Sequence, residues 1–318
     1  MPVITAPEQF NVGDLYVDLA ALGDVPLLLK CEGFNFAGSV KLKAAAEMVS
    51  AAERDGRLGP GSELVESSSG NLGVALSLVA RSRDLRFTCV TDARCTQAAR
   101  KVMTSLGATV HVVTEPHPAE GLLGARIRCV RELCARDEKV VWLNQYANDG
   151  NWLAHYLSTG PEIFSAVPDL DVLFIGAGTT GTLMGCARYL REQRPGVAVI
   201  AVDTEGSVTF GGPPGTRHIP GLGTSVRPAL LDESHVDDVV VVPEAEAVES
   251  CRRLAGHGFL FGGSTGTVVA GARRWLATAG GAPRAVAIAP DLGERYLDTI
   301  YDDEWVARAY SAAPWRQS

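Results

Sequence analysis

Four segments of this chain combine small residues with a reactive or strongly hydrogen-bonding side chain: Asn35–Lys41, Glu66–Gly73, Gly176–Thr182 and Gly262–Thr267. Each stands where an apolar run gives way to a helical pattern, and parallel α/β sheets bind ligands there, beyond the carboxyl ends of their strands. Lys41 opens a helix beside small residues. A lysine desolvated in such a place loses basicity and can serve as a base, whereas the plain alternative is a solvated surface lysine. Gly176-Ala177-Gly178-Thr179-Thr180-Gly181 spells Gly-x-Gly-x-x-Gly after a strand, so its backbone N–H groups and the positive helix end could hold a phosphate. With Asp203 at the end of the next strand, this segment alone reads as a dinucleotide site, or structurally as a glycine turn that lets helix and strand pack closely.

A nucleotide site leaves the other three segments unexplained. A pyridoxal 5′-phosphate site uses all four, because that cofactor needs a lysine for its Schiff base, a phosphate cradle, a partner for the ring nitrogen and an anchor for the substrate carboxylate.

The elements that must position these segments follow from hydrophobic patterning. Short apolar runs bounded by Gly, Ser or Asp alternate with amphipathic stretches, which predicts parallel βα units and an α/β fold. Strands are expected at 27–30, 63–66, 87–91, 109–113, 140–143, 171–175, 197–203, 239–242 and 285–289. Helices are expected at 41–54, 96–106, 122–135 and 151–164, and after the second and third Gly/Ser segments. The change of series between 151–164 and 171–175 marks a candidate boundary. The Gly/Pro-rich stretch 211–223 is too long for a simple turn and reads as a functional or mobile loop.

Composition narrows the partners. The 318 residues carry a net charge of −8, 46% hydrophobic and 21% charged residues. That gives ample core material, and no electrostatic footprint for nucleic acid or an anionic membrane. The seven cysteines are odd in number and contain no Cys-x-x-Cys pair, so they read as buried reduced thiols of a cytosolic protein. The N-terminal segment lacks a basic and an apolar region, and no later run is long enough to span a bilayer, so neither secretion nor insertion is expected. The six histidines show no metal-ligand spacing, and no metal is expected. Gly262–Gly266 spells Gly-x-Ser-x-Gly, but no histidine follows Ser264 to complete a hydrolase triad.

Taken together, the segments resemble the fold-type II pyridoxal-phosphate enzymes of the cysteine synthase and cystathionine β-synthase group, over nearly the whole chain. Gly38-Ser39-Val40-Lys41 resembles the Schiff-base motif, Ser68-Ser69-Gly70-Asn71 the substrate-carboxylate loop, Gly178–Thr182 the phosphate loop and Gly263–Gly266 the ring-nitrogen motif. The resemblance implies a tryptophan synthase β-like architecture of two domains with mostly parallel sheets flanked by helices: a smaller substrate domain, 42–149, and a larger cofactor domain, 1–41 plus 150–318. It implies a homodimer with small-molecule amino-acid substrates. Lys41 would hold the cofactor and remove the substrate α-proton, Asn71 would bond the ring 3′-oxygen, and Gly178, Thr179, Thr180, Gly181 and Thr182 would hold the phosphate. Ser264 would face the ring nitrogen, and Ser68, Ser69 and Gln145 would bind the substrate carboxylate. A neutral hydroxyl at the ring nitrogen makes the ring a weaker electron sink than a carboxylate would, which suits β-elimination better than transamination or racemisation.

Longer stretches, among them 142–148, 201–208, 219–223 and 290–298, resemble the branch that joins O-phospho-L-serine and L-glutamate, through an α-aminoacrylate, to give N-(2-amino-2-carboxyethyl)-L-glutamate on the way to L-2,3-diaminopropionate in siderophore or antibiotic biosynthesis. Arg126 and Arg217 are the candidate carboxylate and phosphate ligands, against the alternative of solvated arginines, and Tyr146 would line the same cleft. Three positions depart from the pattern: Leu42-Lys43 stands where Asp-Arg is usual, Asn35-Phe36 where Asn-Pro is usual, and Gly178 where the glutamate-using branch can have serine. The competing expectations are a sulfur nucleophile in place of the amine, a nicotinamide dehydrogenase built on Gly176–Gly181 and Asp203, and a cofactor-binding partner protein without turnover.

Overall fold

The computed structural model describes residues 3–118 and 120–310; Met1 and Pro2 of the N-terminal segment read above lie outside them. Two sheets organise the chain. After β1 (Tyr16–Asp18), β2 (Leu28–Cys31) and α1 (Lys41–Arg54) come the βα units of the smaller sheet: β3 (Glu63–Ser67), α2 (Asn71–Ser82), β4 (Arg86–Asp92), α3 (Gln97–Ser105), β5 (Thr109–Val113), α4 (Gly121–Arg136) and β6 (Val140–Trp142). Then α5 (Asp149–Leu157) and α6 (Thr159–Ala166) lead into β7 (Val172–Gly176), α7 (Gly181–Gln193), β8 (Ala198–Thr204), β9 (Asp238–Val242), α8 (Glu244–Gly256), α9 (Gly263–Thr278), β10 (Ala285–Ala289) and α10 (Asp303–Ala309).

The smaller sheet has the order β5-β4-β3-β6 and is parallel throughout. The larger has the order β1-β2-β10-β7-β8-β9, parallel except for the β1–β2 pair. Strands of such sheets are covered on both faces, so they read as unbroken apolar runs rather than alternating ones. The central strands show this: every residue of β10, Ala-Val-Ala-Ile-Ala, is buried, as are Val172 to Ile175 of β7. Two apolar clusters fill the faces of the large sheet, and another packs α1 and α2 onto the small one.

Two expectations need correcting. The single helix expected over 151–164 is two helices, α5 and α6, broken at Ser158, whose φ of −130° and ψ of −71° leave the helical region. Pro161 supplies the reason: it has no N–H to bond back four residues, and its ring clashes with the carbonyl there. The thiols are also not all buried: seven free cysteines are present, and Cys129 and Cys134 on α4 are partly exposed. β1, three residues long, is too short to leave a pattern in the sequence.

The stretch 205–237 between β8 and β9 contains no strand or α-helix, only a short 3-10 turn at Glu233–His235. It folds back over the end of β7, where the Gly223 N–H donates to Ala177 O at 2.9 Å. No helix among the described residues is long and apolar enough to cross a membrane.

Candidate active site

The carboxyl ends of both sheets open onto one cleft, with about 1260 Å³ of empty space, its open mouth included. Every site residue expected from the sequence lines it: Lys41, Ser68, Ser69, Asn71, Arg126, Gln145, Tyr146, Gly178 to Thr182, Arg217 and Ser264. Asp203 does not. Its carboxylate is buried beside β8, accepts from the Thr204 N–H at 2.9 Å, and is held at a raised pKa of about 6 by burial. The acidic residue that a dinucleotide site would turn toward a ribose is therefore engaged elsewhere.

Lys41 is the first residue of α1, and the segment before it is sewn to the segment after β10. The Val40 N–H donates to Pro290 O at 2.7 Å, and the Leu292 N–H donates to Gly38 O at 3.1 Å. Burial lowers the Lys41 ammonium to about 8, against the pull of the Asp291 carboxylate. Asp291 is fully buried, and burial raises its pKa even though Tyr296 and Asn71 both donate to it. Asn71, which opens α2, is fixed from both sides: its Nδ2 donates to Asp291 Oδ2 at 2.9 Å, and Arg295 Nη2 donates to its Oδ1 at 2.8 Å.

The Ser67–Gly70 turn is fixed by side chains of its own segment. Ser68 Oγ accepts from the N–H groups of Gly70 and Gly73 at 3.2 and 2.9 Å, which satisfies donors at the start of α2. Ser69 is half-buried beside it. Gln145 donates its Nε2 to Ser67 O at 2.7 Å, and its own N–H donates to Glu66 Oε2 at 3.1 Å. Burial lifts the Glu66 carboxyl to about 7, although Trp142 Nε1 and the Ser67 N–H also donate to it.

The phosphate-loop segment between β7 and α7 is strained and tightly enclosed. Thr180 is β-branched, 2% exposed and held at a φ of +67°, a region that such residues rarely enter. A side chain at Gly178 would bring its Cβ to 2.7 Å from Gly221 O, and one at Gly221, where φ is +116°, would come within 2.2 Å of Ser264 Oγ. Asn151, on α5, bridges this segment to the substrate side by donating to Thr179 Oγ1 at 2.9 Å and to Gln145 O at 2.7 Å. Below it, Thr182 Oγ1 and His155 Nε2 lie 3.2 Å apart, and burial holds His155 neutral.

Neither arginine of the sequence analysis is a solvated one. Arg126 is 3% exposed, its Nε lies 3.1 Å from the carboxylate of fully buried Asp92, and neither Nε nor Nη1 has a hydrogen-bond partner among the described residues. Arg217 is 7% exposed, donates to Gly206 O and to Ser225 Oγ, and has its pKa lowered by burial and by Arg94. Arg94 also lines the cleft and grips Asp92 through Nε and Nη2 at 3.2 and 3.0 Å. Burial raises the pKa of Tyr146, at the same wall.

Lys43, where the wider group has arginine, joins a buried ion cluster: its Nζ lies 3.0 Å from Glu32 and 2.8 Å from Glu162, and Lys30 bonds the same two carboxylates. Those contacts tie α1 to β2 and α6.

Sequence reasoning missed Arg94, Asn151, Asp291 and Arg295. Only Asp291 and Arg295 carried a signal, through the stretch 290–298.

The family described as "Pyridoxal-phosphate dependent enzyme" matches residues 16–291 of the chain. The chain belongs to this family. Two relatives, both called N-(2-amino-2-carboxyethyl)-L-glutamate synthase, come from Ralstonia nicotianae and Cupriavidus metallidurans. The first is 42% identical over 93% of this chain and 89% of the relative, the second 40% identical over 90% and 85%. The crystal structure of O-ureido-L-serine synthase superposes with a TM-score of 0.87 at 32% identity, covering 98% of this chain and 100% of that one.

The site suits the cofactor of a pyridoxal-phosphate dependent enzyme. Gly178 and Gly221 both line the cleft and pack so closely that neither admits a side chain, which brings bare backbone up to the space a bound group would take. The N-terminus of the 13-residue α7 points positive partial charge at it. Ser264, 3% exposed, brings a neutral hydroxyl to the lining of the same cleft, beside Gly221.

Proposed function

We propose that the chain joins O-phospho-L-serine and L-glutamate by β-replacement, releasing phosphate and forming N-(2-amino-2-carboxyethyl)-L-glutamate, a precursor of L-2,3-diaminopropionate. The observation that carries this reading is the cleft's wall of Arg94, Arg126 and Arg217, in a protein whose net charge is −8. An anionic protein repels anionic substrates at long range, and guanidiniums lining the cleft restore a local attraction. Phosphoserine and glutamate both need such cations. Sulfide does not. The names of the two relatives support the same reading.

In this reading Lys41, Asn71, Gly178 to Thr182 and Ser264 hold pyridoxal phosphate. When bound, the cofactor supplies the electron sink that lets an amino acid lose its α-proton and its β-substituent. Lys41 Nζ takes the proton, and its lowered pKa makes the neutral amine available near neutral pH. Ser68, Ser69 and Gln145 orient the carboxylate of phosphoserine, Arg217 meets the departing phosphate, and Arg126 and Tyr146 meet glutamate. Ser264 leaves the ring nitrogen without a formal charge partner, which disfavours side reactions that need a stronger electron sink.

The domain division at 42–149 goes with this reading. It is supported by the smaller sheet, whose strands all fall within that segment, while the strands of the larger sheet all fall outside it. A cytoplasmic homodimer is the accompanying expectation, checked by light scattering and cell fractionation.

The deciding experiment is the visible spectrum of the purified holoenzyme. The cofactor band shifts on addition of O-phospho-L-serine and returns on addition of L-glutamate but not of sulfide. Return with sulfide alone moves the chain to the sulfur-nucleophile reading, and no cofactor band after reconstitution overturns the proposal.

A further inference from the structure

Two guanidiniums share one carboxylate at the exit of β4. Asp92 is fully buried; burial alone would raise its pKa, but hydrogen bonds from Arg94 and the charge of Arg126 hold it below the usual range. Arg94 uses one edge, Nε and Nη2, on Asp92, and no hydrogen bond engages its Nη1 among the described residues. Arg126 Nε lies 3.1 Å from Asp92 as an ion pair, and neither its Nε nor its Nη1, both buried, has a hydrogen-bond partner among the described residues. The carboxylate nearest in charge, Glu66, already accepts from Trp142, Ser67 and Gln145. The cluster therefore holds two positive charges against one negative, with the buried donors of Arg126 unmet and the half-buried Arg94 beside them on the cleft. A desolvated guanidinium donor without an acceptor is costly, and a carboxylate from outside satisfies it with charge-assisted bonds, to which Arg94 adds its free edge.

We propose that Arg94 and Arg126, set at a fixed angle by Asp92, form a subsite for the side-chain carboxylate of the incoming amine, and that this subsite selects a dicarboxylate over its neutral amide. Arg94 and Arg126 touch the substrate, and Asp92 is a positioning residue. The inference rests on the reading above in taking the second substrate to be a dicarboxylic amino acid. It extends that reading by assigning the recognition to Arg94 and Asp92.

Calorimetric titration of the holoenzyme with glutarate and with glutaramate, which differ only in replacing one carboxylate by an amide, tests it without turnover. The wild type binds glutarate about tenfold or more tighter than glutaramate, and Arg94→Gln removes most of that preference. Arg94→Lys, which keeps the charge but cannot use two edges at once, gives an intermediate preference and guards against a folding defect in the first variant. Equal binding of the two ligands by the wild type, or an undiminished preference in both variants, overturns the subsite. A retained glutarate preference without turnover of L-glutamate overturns the substrate reading and leaves the subsite standing.

Discussion

The side-chain amide of Asn71 donates to the buried carboxylate of Asp291 at 2.9 Å, a contact between residues 220 positions apart that joins the start of α2 to the end of β10. With Arg295 donating to the amide oxygen and Tyr296 Oη 3.4 Å from Nδ2, it fixes the orientation of the Asn71 amide. Asp291→Asn replaces an acceptor by a group that can turn a donor toward two donors, Asn71 and Tyr296. Loss of such a buried pairing costs about 1–3 kcal/mol. Urea unfolding of the apoenzyme should show that loss, and cofactor titration should show weaker binding; an unchanged cofactor affinity would mean that Asn71 needs no orienting partner.

The lowered pKa of Lys41 sets a pH dependence. Only the neutral amine can combine with the cofactor aldehyde, so the rate of reconstituting the apoenzyme should rise about tenfold per pH unit up to about 8 and then level off, rather than climbing to 10.5. The sign for stability follows: the unfolded chain binds more protons than the folded one between about 8 and 10.5, so this group's contribution to stability rises with pH across that window. A rate still climbing at pH 10 would show that the amine is not desolvated.

Gly221→Ala places a methyl group within 2.2 Å of Ser264 Oγ at a backbone angle that alanine resists. The hydroxyl must turn away. Cofactor affinity, followed by absorbance titration, should fall by about tenfold, and retention of full affinity would remove Ser264 from the site.

Thr180→Gly relieves a β-branched residue from positive φ. The apoenzyme should gain about 1 kcal/mol, the lower end of the strain such a residue carries. Urea midpoints measure it, and a loss of stability would mean that the loop is not strained.

Lys43→Met leaves buried Glu32 and half-buried Glu162 against Lys30 alone. Breaking a buried ion cluster on one side destabilises by about 3 kcal/mol or more, whereas Lys43→Arg should retain most of the stability. Equal unfolding midpoints for wild type and Lys43→Met would contradict the role of the cluster in anchoring α1.

Many of the residues that line the cleft were legible in the sequence because their setting is local. Lys41, Asn71 and the Gly178–Thr182 loop each stand where a strand gives way to a helix, marked by glycine and serine; Ser264 also opens a helix after glycines, but the element before it is α8 rather than the strand expected from the apolar run. Such a junction can be read from a few neighbouring residues. The supports were not legible, because they are made by packing. Nothing near Asp92 or Arg94 distinguishes them from a solvated charged turn until α4 brings Arg126 against the same carboxylate. Asn151 looked like an ordinary helix residue, yet it reaches both Gln145 and Thr179. The fold class followed from apolar runs, while the break at Ser158 depended on one proline whose effect the surrounding helical pattern masked.

The arginines of the shared-carboxylate cluster come from the exit of β4 and from α4, whereas Lys41, Ser264 and the Gly178–Thr182 loop come from α1, α9 and the β7–α7 turn. If the proposed roles hold, selection of the attacking group and activation of the first substrate fall to separate parts of the chain. On that reading, substitutions within 92–126 that alter the preference for the attacking group would leave the residues proposed to hold the cofactor in place.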